Sequence, residues 1–234
     1  MKLKDSVVFV TGANRGLGLA FAKAALAAGA RKVYGAARDP ASITLPGVTP
    51  VALDVTDLAQ VEAAAAACGD VTLLINNAGI SRGGALLGPA EAFDAARAEF
   101  ETNFFGSWAM ARAFAPVLKA NGGGAILNVL SVLAWLSLPG AATYSASKSA
   151  AWSLSNGLRD VLRGQGTQVT SLHVAFMETD MTAGIQGPKV SPEDVARQAL
   201  EGVEAGQVEV LADALTRQVK QSLSSETPAY AAAR

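Results

Sequence analysis

Three side chains in this sequence have the types and spacing to move a proton. Tyr144 and Lys148 stand four apart in Tyr144-Ser145-Ala146-Ser147-Lys148, which stacks two side chains on one helix face, a turn apart. A free phenol titrates near pH ~10 and is a poor acid or base at neutrality. An ammonium one turn away favours the phenolate and is expected to lower that value, which makes the phenol a general acid or base near pH ~7. Ser131 closes the apolar run Ala125-Ile126-Leu127-Asn128-Val129-Leu130. A hydroxyl there can hydrogen-bond the same reacting oxygen from a second direction. A lone Tyr-x-x-x-Lys is more often an ordinary helix face, so its meaning depends on the rest of the chain.

The elements around these residues supply that context. Val7 to Val10 is a β-branched, apolar run of the kind buried in a parallel sheet. It leads directly into Thr11-Gly12-Ala13-Asn14-Arg15-Gly16-Leu17-Gly18, and Leu19 to Ala28 then reads as an alanine-rich helix ended by Gly29. Glycines between a strand and a helix let backbone approach a pyrophosphate and offer it helix N-terminal amides. The same glycines without both flanking elements would be an ordinary turn. A second strand, Lys32 to Ala36, ends at Ala37-Arg38-Asp39-Pro40. NAD sites tend to place a carboxylate at this strand end, and NADP sites an arginine. Arg38 is the first polar residue there and its fork suits a 2′-phosphate. Arg15 offers a second positive charge, while Asp39 is the competing ribose ligand. The balance favours NADP(H) over NAD(H).

Further along, Val51-Ala52-Leu53 forms a third strand, with Asp54 and Val55 at its end in the expected cofactor crevice. Asp57-Leu58-Ala59-Gln60 resembles a capping box for a helix through Ala67. Val71 to Ile75 is a fourth strand, closed by Asn76-Asn77-Ala78-Gly79, whose amides can tie strand ends together and line the crevice. Glu91 to Lys119 reads as two helices meeting or bending near Thr102-Asn103. Phe104, Phe105 and Trp108 there read as core or subunit interface. A fifth strand precedes Ser131, the Tyr144 helix runs to about Arg163, and Val169 to His173 makes a sixth strand. Ser191-Pro192-Glu193-Asp194 starts a helix, Glu209 to Leu211 reads as an edge strand, and residues 222–234 read as a flexible tail. His173, the single histidine, reads as a strand residue at a sheet end rather than a general base. No repeat, linker or boundary divides the chain, so one domain over 1–234 is expected.

Composition narrows the function classes. Half of the residues are hydrophobic and 17% are charged, with net charge −1, which suits a globular core. No basic excess points to nucleic acid and no polybasic run to a membrane surface. No apolar run reaches spanning length, and the first residues do not read as a signal peptide. A single cysteine, Cys68, excludes an internal disulfide and a multi-cysteine zinc site; no metal is expected, and a reduced, cytoplasmic setting fits.

Alternating strands and helices call for an open parallel sheet with helices on both faces, a Rossmann-type α/β fold of about seven strands. Here the chain resembles the short-chain dehydrogenase/reductase family, in its single-domain, NADP-preferring carbonyl reductase and alcohol dehydrogenase type. The matching pieces are Thr11-Gly12-x-x-x-Gly16-x-Gly18, Asn76-Asn77-Ala78-Gly79, Asn103, Ser131 and Tyr144-x-x-x-Lys148. The resemblance implies that Tyr144 protonates the carbonyl oxygen as hydride leaves the nicotinamide, and that Ser131 holds that oxygen. It implies that Lys148 lowers the tyrosine pKa and binds the nicotinamide ribose, and that Asn103 holds a water linking Lys148 to solvent. The expected cofactor set is Gly12, Asn14, Arg15, Gly16, Leu17, Gly18, Arg38, Asp54, Val55, Asn77, Ala78, Gly79, Tyr144, Lys148, Ala175, Met177 and Thr179. One stretch departs: Val174-Ala175 stands where the family commonly has Pro-Gly. Leu133, Trp135, Leu136, Phe176 and Met181 are expected to line a substrate pocket suited to a bulky, apolar or aromatic ketone or aldehyde. A homodimer or homotetramer is implied, paired through the Phe104/Trp108 helix and the Ala150-Ala151-Trp152 helix. The competing readings are a nucleotide-sugar epimerase or dehydratase, and a catalytically idle NADP-binding sensor or scaffold.

Overall fold

The structure is a computed structural model and describes residues 1–83 and 86–231. Its strands are β1 (Val7–Thr11), β2 (Lys32–Ala37), β3 (Val48–Ala52), β4 (Leu73–Asn76), β5 (Gly124–Val129), β6 (Thr167–His173) and β7 (Glu209–Leu211). They pair in parallel in one sheet of order β3-β2-β1-β4-β5-β6-β7. The helices are α1 (Gly16–Ala27), α2 (Leu58–Ala67), α3 (Glu91–Phe100), α4 (Ser107–Ala120), α5 (Ala142–Arg163), α6 (Pro192–Glu204) and α7 (Ala214–Ser222).

The strand alternation builds two cores. Val8 and Val10 point to one face and join Phe21 of α1 and Val195 and Leu200 of α6. Val7 and Phe9 point to the other and join Met110, Phe114 and Leu118 of α4, with the Phe9 and Phe114 rings 4.9 Å apart. Helices on both faces explain why the strands read as continuous apolar runs. The sheet order reverses between β1 and β4, and the crevice outside the carboxyl ends at such a switch point is where an α/β sheet takes its ligand.

Several boundaries differ from the expectation. α1 begins at Gly16 rather than Leu19, so the last two glycines of the loop already belong to its first turn. β3 begins at Val48 and includes Pro50, which an edge strand tolerates because one side of its ladder is unpaired. At α2, Asp57 caps the amides of Ala59 and Gln60 at 2.9 and 3.2 Å. Gln60 does not complete the box: its side chain accepts from the Asp54 N–H at 2.9 Å and donates to the Asp57 carboxylate at 2.8 Å. The bend near Thr102-Asn103 is a π-helical turn over Glu101–Gly106, between α3 and α4. Gly106 is needed there, because a Cβ would come within 2.8 Å of Val55.

Beyond α7, Leu223 and Ala229 pack against a third apolar cluster around Trp135; residues 232–234 of the expected tail lie outside the described residues. Among the described residues, no helix is long and apolar enough to cross a membrane.

Candidate active site

The carboxyl ends of the strands open into a cleft of ≈ 1270 Å³. Its floor is the glycine loop after β1. Gly12 adopts φ +66, a left-handed backbone that favours glycine. Gly18 lies so close that a Cβ would sit 2.0 Å from the Gly12 carbonyl oxygen. No side chain caps α1, and no acid lies in its first turn. Its leading amides are therefore free to face an anion in the cleft. Asn77 closes the floor. Its side chain donates to the Thr11 and Gly12 carbonyls at 2.9 and 3.2 Å, and Thr11 Oγ1 accepts from the Asn77 and Ala78 amides at 2.9 Å each. Asn76 donates to Asn128 at 2.9 Å, and Asn128 to Ser155 of α5 at 2.9 Å. The paired amides, Asn76 the last residue of β4 and Asn77 the first beyond it, thus tie β1, β4, β5 and α5 together.

At the end of β2, Arg38 and Asp39 both line the cleft. Asp39 is occupied locally: its carboxylate accepts from the Ala41 N–H at 3.0 Å and caps the short 3-10 turn Pro40–Ser42. Arg15 reaches across the cleft mouth to Asp180, 2.8 Å away, with both side chains exposed.

Tyr144, Lys148 and Ser131 share the opposite wall. Tyr144 and Lys148 lie in the first two turns of α5, with the ammonium nitrogen 5.6 Å from the ring centroid. Lys148 is buried and donates to the Val129 carbonyl at 2.9 Å. Ser131 leaves β5 in an extended conformation. Its hydroxyl accepts from the Leu133 N–H at 3.1 Å and faces the Val174 carbonyl at 3.4 Å. Tyr144 opens partly to the cleft, yet protein surrounds it densely. Burial pushes its phenol up to about 12; a hydrogen bond with Ser131 works against that rise and the Glu99 charge adds to it. Burial also pulls Lys148 down to about 8. This corrects the expectation that the lysine lowers the phenol. An amine that sheds its proton near 8 is neutral where the phenol titrates, so the i, i+4 spacing holds while desolvation outweighs the charge.

Asn103 lies in the π-helical turn but not on the cleft wall. Its side chain donates to the Ile80 carbonyl and to Ser147 Oγ at 2.9 Å each and accepts from the Ile80 N–H at 2.9 Å. Both N–H groups and one acceptor position of the oxygen are thereby engaged, and the side chain pins the loop after β4 to α5. Gly79 fits beside it because a Cβ would stand 3.1 Å from Asn103 Oδ1 and 3.5 Å from Lys148 Nζ.

Val174 and Ala175 are held on both sides despite the departure from Pro-Gly. The Val174 carbonyl accepts from the Val132 N–H at 3.0 Å. Asp213, which caps α7, accepts from the Ala175 N–H at 2.8 Å. The remaining residues of the expected cofactor set, Asn14, Leu17, Asp54, Val55, Met177 and Thr179, also line the cleft. Of the expected substrate wall, Leu133, Phe176 and Met181 line it; Trp135 and Leu136 do not. The 3-10 turn Val132–Ala134 carries Trp135 behind Ser131, where its ring stacks on His173 at 3.9 Å. Leu138, in the same stretch between Ser131 and Tyr144 from which pocket residues were expected, lines the wall, and so do Ile185, Ile80, Ser81 and Arg82. The last three directly follow Asn-Asn-Ala-Gly, and that adjacency was the available signal.

The family model for short chain dehydrogenase matches residues 6–189. The chain belongs to this family. It is therefore an oxidoreductase. Over 222 residues, 84% of this chain and 78% of the relative, it is 35% identical to 1-deoxy-11-beta-hydroxypentalenate dehydrogenase of Streptomyces exfoliatus. A crystal structure of a short chain dehydrogenase from Burkholderia cenocepacia J2315 in complex with NADP superposes with TM-score 0.92 at 41% identity, covering 97% of this chain and 95% of that one. A short chain dehydrogenase/reductase from Burkholderia phymatum in complex with NAD superposes with TM-score 0.83 at 26% identity, covering 95% of each.

The chain's own residues fit such a dinucleotide. The uncapped helix, the Gly12–Gly18 contact and the cleft volume give room and donors for a pyrophosphate. Lys148, Tyr144 and Ser131 lie in the same cleft.

Proposed function

We propose that this dehydrogenase reduces a bulky, apolar or aromatic ketone or aldehyde with NADPH. The observation that carries the reading is the convergence of Ser131, Tyr144 and Lys148 on one wall of the cleft whose floor is the glycine loop. Bound NADPH supplies hydride to the carbonyl carbon. Tyr144, whose high pKa keeps its proton in place at neutral pH, donates that proton to the carbonyl oxygen. Ser131 holds the same oxygen by a second hydrogen bond. Lys148 offers an ammonium to the ribose hydroxyls below its pKa near 8. Leu133, Leu138, Phe176, Met181 and Ile185 supply an apolar wall that suits a hydrocarbon or aryl group rather than a sugar.

Arg38 supports NADPH over NADH. It stands at the carboxyl end of β2, where a 2′-phosphate would lie, while the rival Asp39 caps its own turn. The NADP complex of the Burkholderia cenocepacia protein agrees with this choice.

Purified protein mixed with NADPH and a panel of aryl and alkyl ketones is expected to consume the reduced nicotinamide. An idle sensor would bind NADPH and consume none. The pH profile tests the proton assignments. Reduction should stay level below pH 8 and fall as Lys148 loses its proton. Alcohol oxidation needs the phenolate, so it should climb up to about pH 8 and level off above it, where loss of the Lys148 ammonium offsets the growing phenolate fraction. Oxidation that peaks at neutral pH would sink the Tyr144 assignment.

We also propose self-association through the π-turn and α4. Phe105 and Trp108 are 44% and 47% exposed and stack at 6.4 Å, a costly face to leave in water. The indole N–H of Trp152, on the other helix expected to pair subunits, donates to Glu209 at 3.0 Å. Light scattering should show a dimer or tetramer; a monomer at micromolar concentration would overturn this assignment.

A further inference from the structure

His173 is the chain's single histidine, and the proton transfer above does not use it. It ends β6, is fully buried, and lies behind the wall that holds Ser131. Its Nδ1 is 3.1 Å from the Ser131 main-chain carbonyl oxygen. Both groups are desolvated there, so two facing lone pairs at that distance would repel. Only an N–H on Nδ1 makes the contact favourable.

The surroundings fix the ring as well. Trp135 stacks on it at 3.9 Å and 18°. Glu209 Oε1 lies 3.6 Å from Nε2. Glu209 is itself held by the Lys220 ammonium at 2.6 Å and the Trp152 N–H at 3.0 Å, and Lys220 lies over the Trp135 ring at 4.7 Å. Residues from the Ser131 loop, α5, β7 and α7 thus surround one imidazole.

What the imidazole touches is the peptide group of Ser131. Backbone bonds between β5 and β6 hold the flanking amides, Leu130 N–H to Leu172 at 2.8 Å and Val132 N–H to Val174 at 3.0 Å. The Ser131 carbonyl itself is served by the Ala134 N–H at 3.0 Å and by His173. A hydroxyl that must meet a reacting oxygen tolerates little displacement.

We propose that His173 is a positioning residue: its Nδ1–H anchors the Ser131 carbonyl and so aims the Ser131 hydroxyl, with the stacked Trp135 holding the plane of the ring. The proposal rests on the carbonyl reductase reading for the role of Ser131, but the tautomer can be tested without turnover.

Nitrogen-15 NMR of the wild-type protein reads that tautomer unambiguously, because the chain has one histidine. A protonated Nδ1 is expected. A ring protonated on Nε2 alone would overturn the proposal. Two substitutions then separate anchoring from packing. His173→Asn places an amide N–H where Nδ1 was; His173→Gln, closer in size, places it where Nε2 was. Asn should keep kcat within about threefold, and Gln should lose about tenfold. The NADPH Kd should stay unchanged in both. Equal losses, or none in Gln, would show that the ring only fills space. If the wild-type protein reduces no carbonyl compound, the function fails while the NMR result still decides the anchor.

Discussion

Tyr144→Phe will leave a folded protein that binds NADPH as tightly as before and turns over about 10³-fold more slowly. The ring keeps its place in the first turn of α5 and its packing beside Lys148. Only the oxygen is lost, and with it the one hydroxyl that both carries an acidic proton and faces the reacting carbonyl. Ser131 cannot replace it: it can hydrogen-bond the oxygen, but an alkyl hydroxyl is a far weaker acid than a phenol and does not give up its proton. Fluorescence titration with NADPH and stopped-flow absorbance of the reduced nicotinamide measure the two quantities separately. Turnover within tenfold of wild type would mean that another group delivers the proton.

Arg38→Asp will reverse the choice of cofactor. The ratio of kcat/KM with NADPH to that with NADH should fall by about 10²-fold, mostly through KM for NADPH. A guanidinium gives a phosphate two charge-assisted hydrogen bonds, and a carboxylate in the same place repels it. The same carboxylate can accept from ribose hydroxyls, which Asp39, bonded to the Ala41 amide, is poorly placed to do. Steady-state kinetics with both nicotinamides decide the matter; an unchanged ratio would reduce Arg38 to a surface charge.

Elements that bury themselves by a simple period were legible in the sequence. The β-branched runs at Val7, Leu73, Ile126 and Val169 became central strands, and the helix from Tyr144 ends at Arg163, where it was expected. The bend at Thr102-Asn103 was legible as well, and it proved to be the π-helical turn. What escaped depends on the third dimension. Spacing brought Tyr144 and Lys148 together but carried no information on how densely protein surrounds them, and that density sets both pKa values. Position between Ser131 and Tyr144 suggested Trp135 for the pocket, yet a single 3-10 turn carried it behind the wall. Pro50 hid the start of β3, since proline is unwelcome everywhere in a sheet except at an edge. The capping box at Asp57 was half right, because Gln60 has a nearer partner in Asp54.

The bond from Ala175 to Asp213 has a consequence for biosynthesis. A ribosome makes the glycine loop first, and a domain folds as a unit. The Ala175 backbone receives its carboxylate partner only when Asp213, at the start of α7, has left the exit tunnel. That wall of the cleft is therefore completed only after the start of α7 has been made.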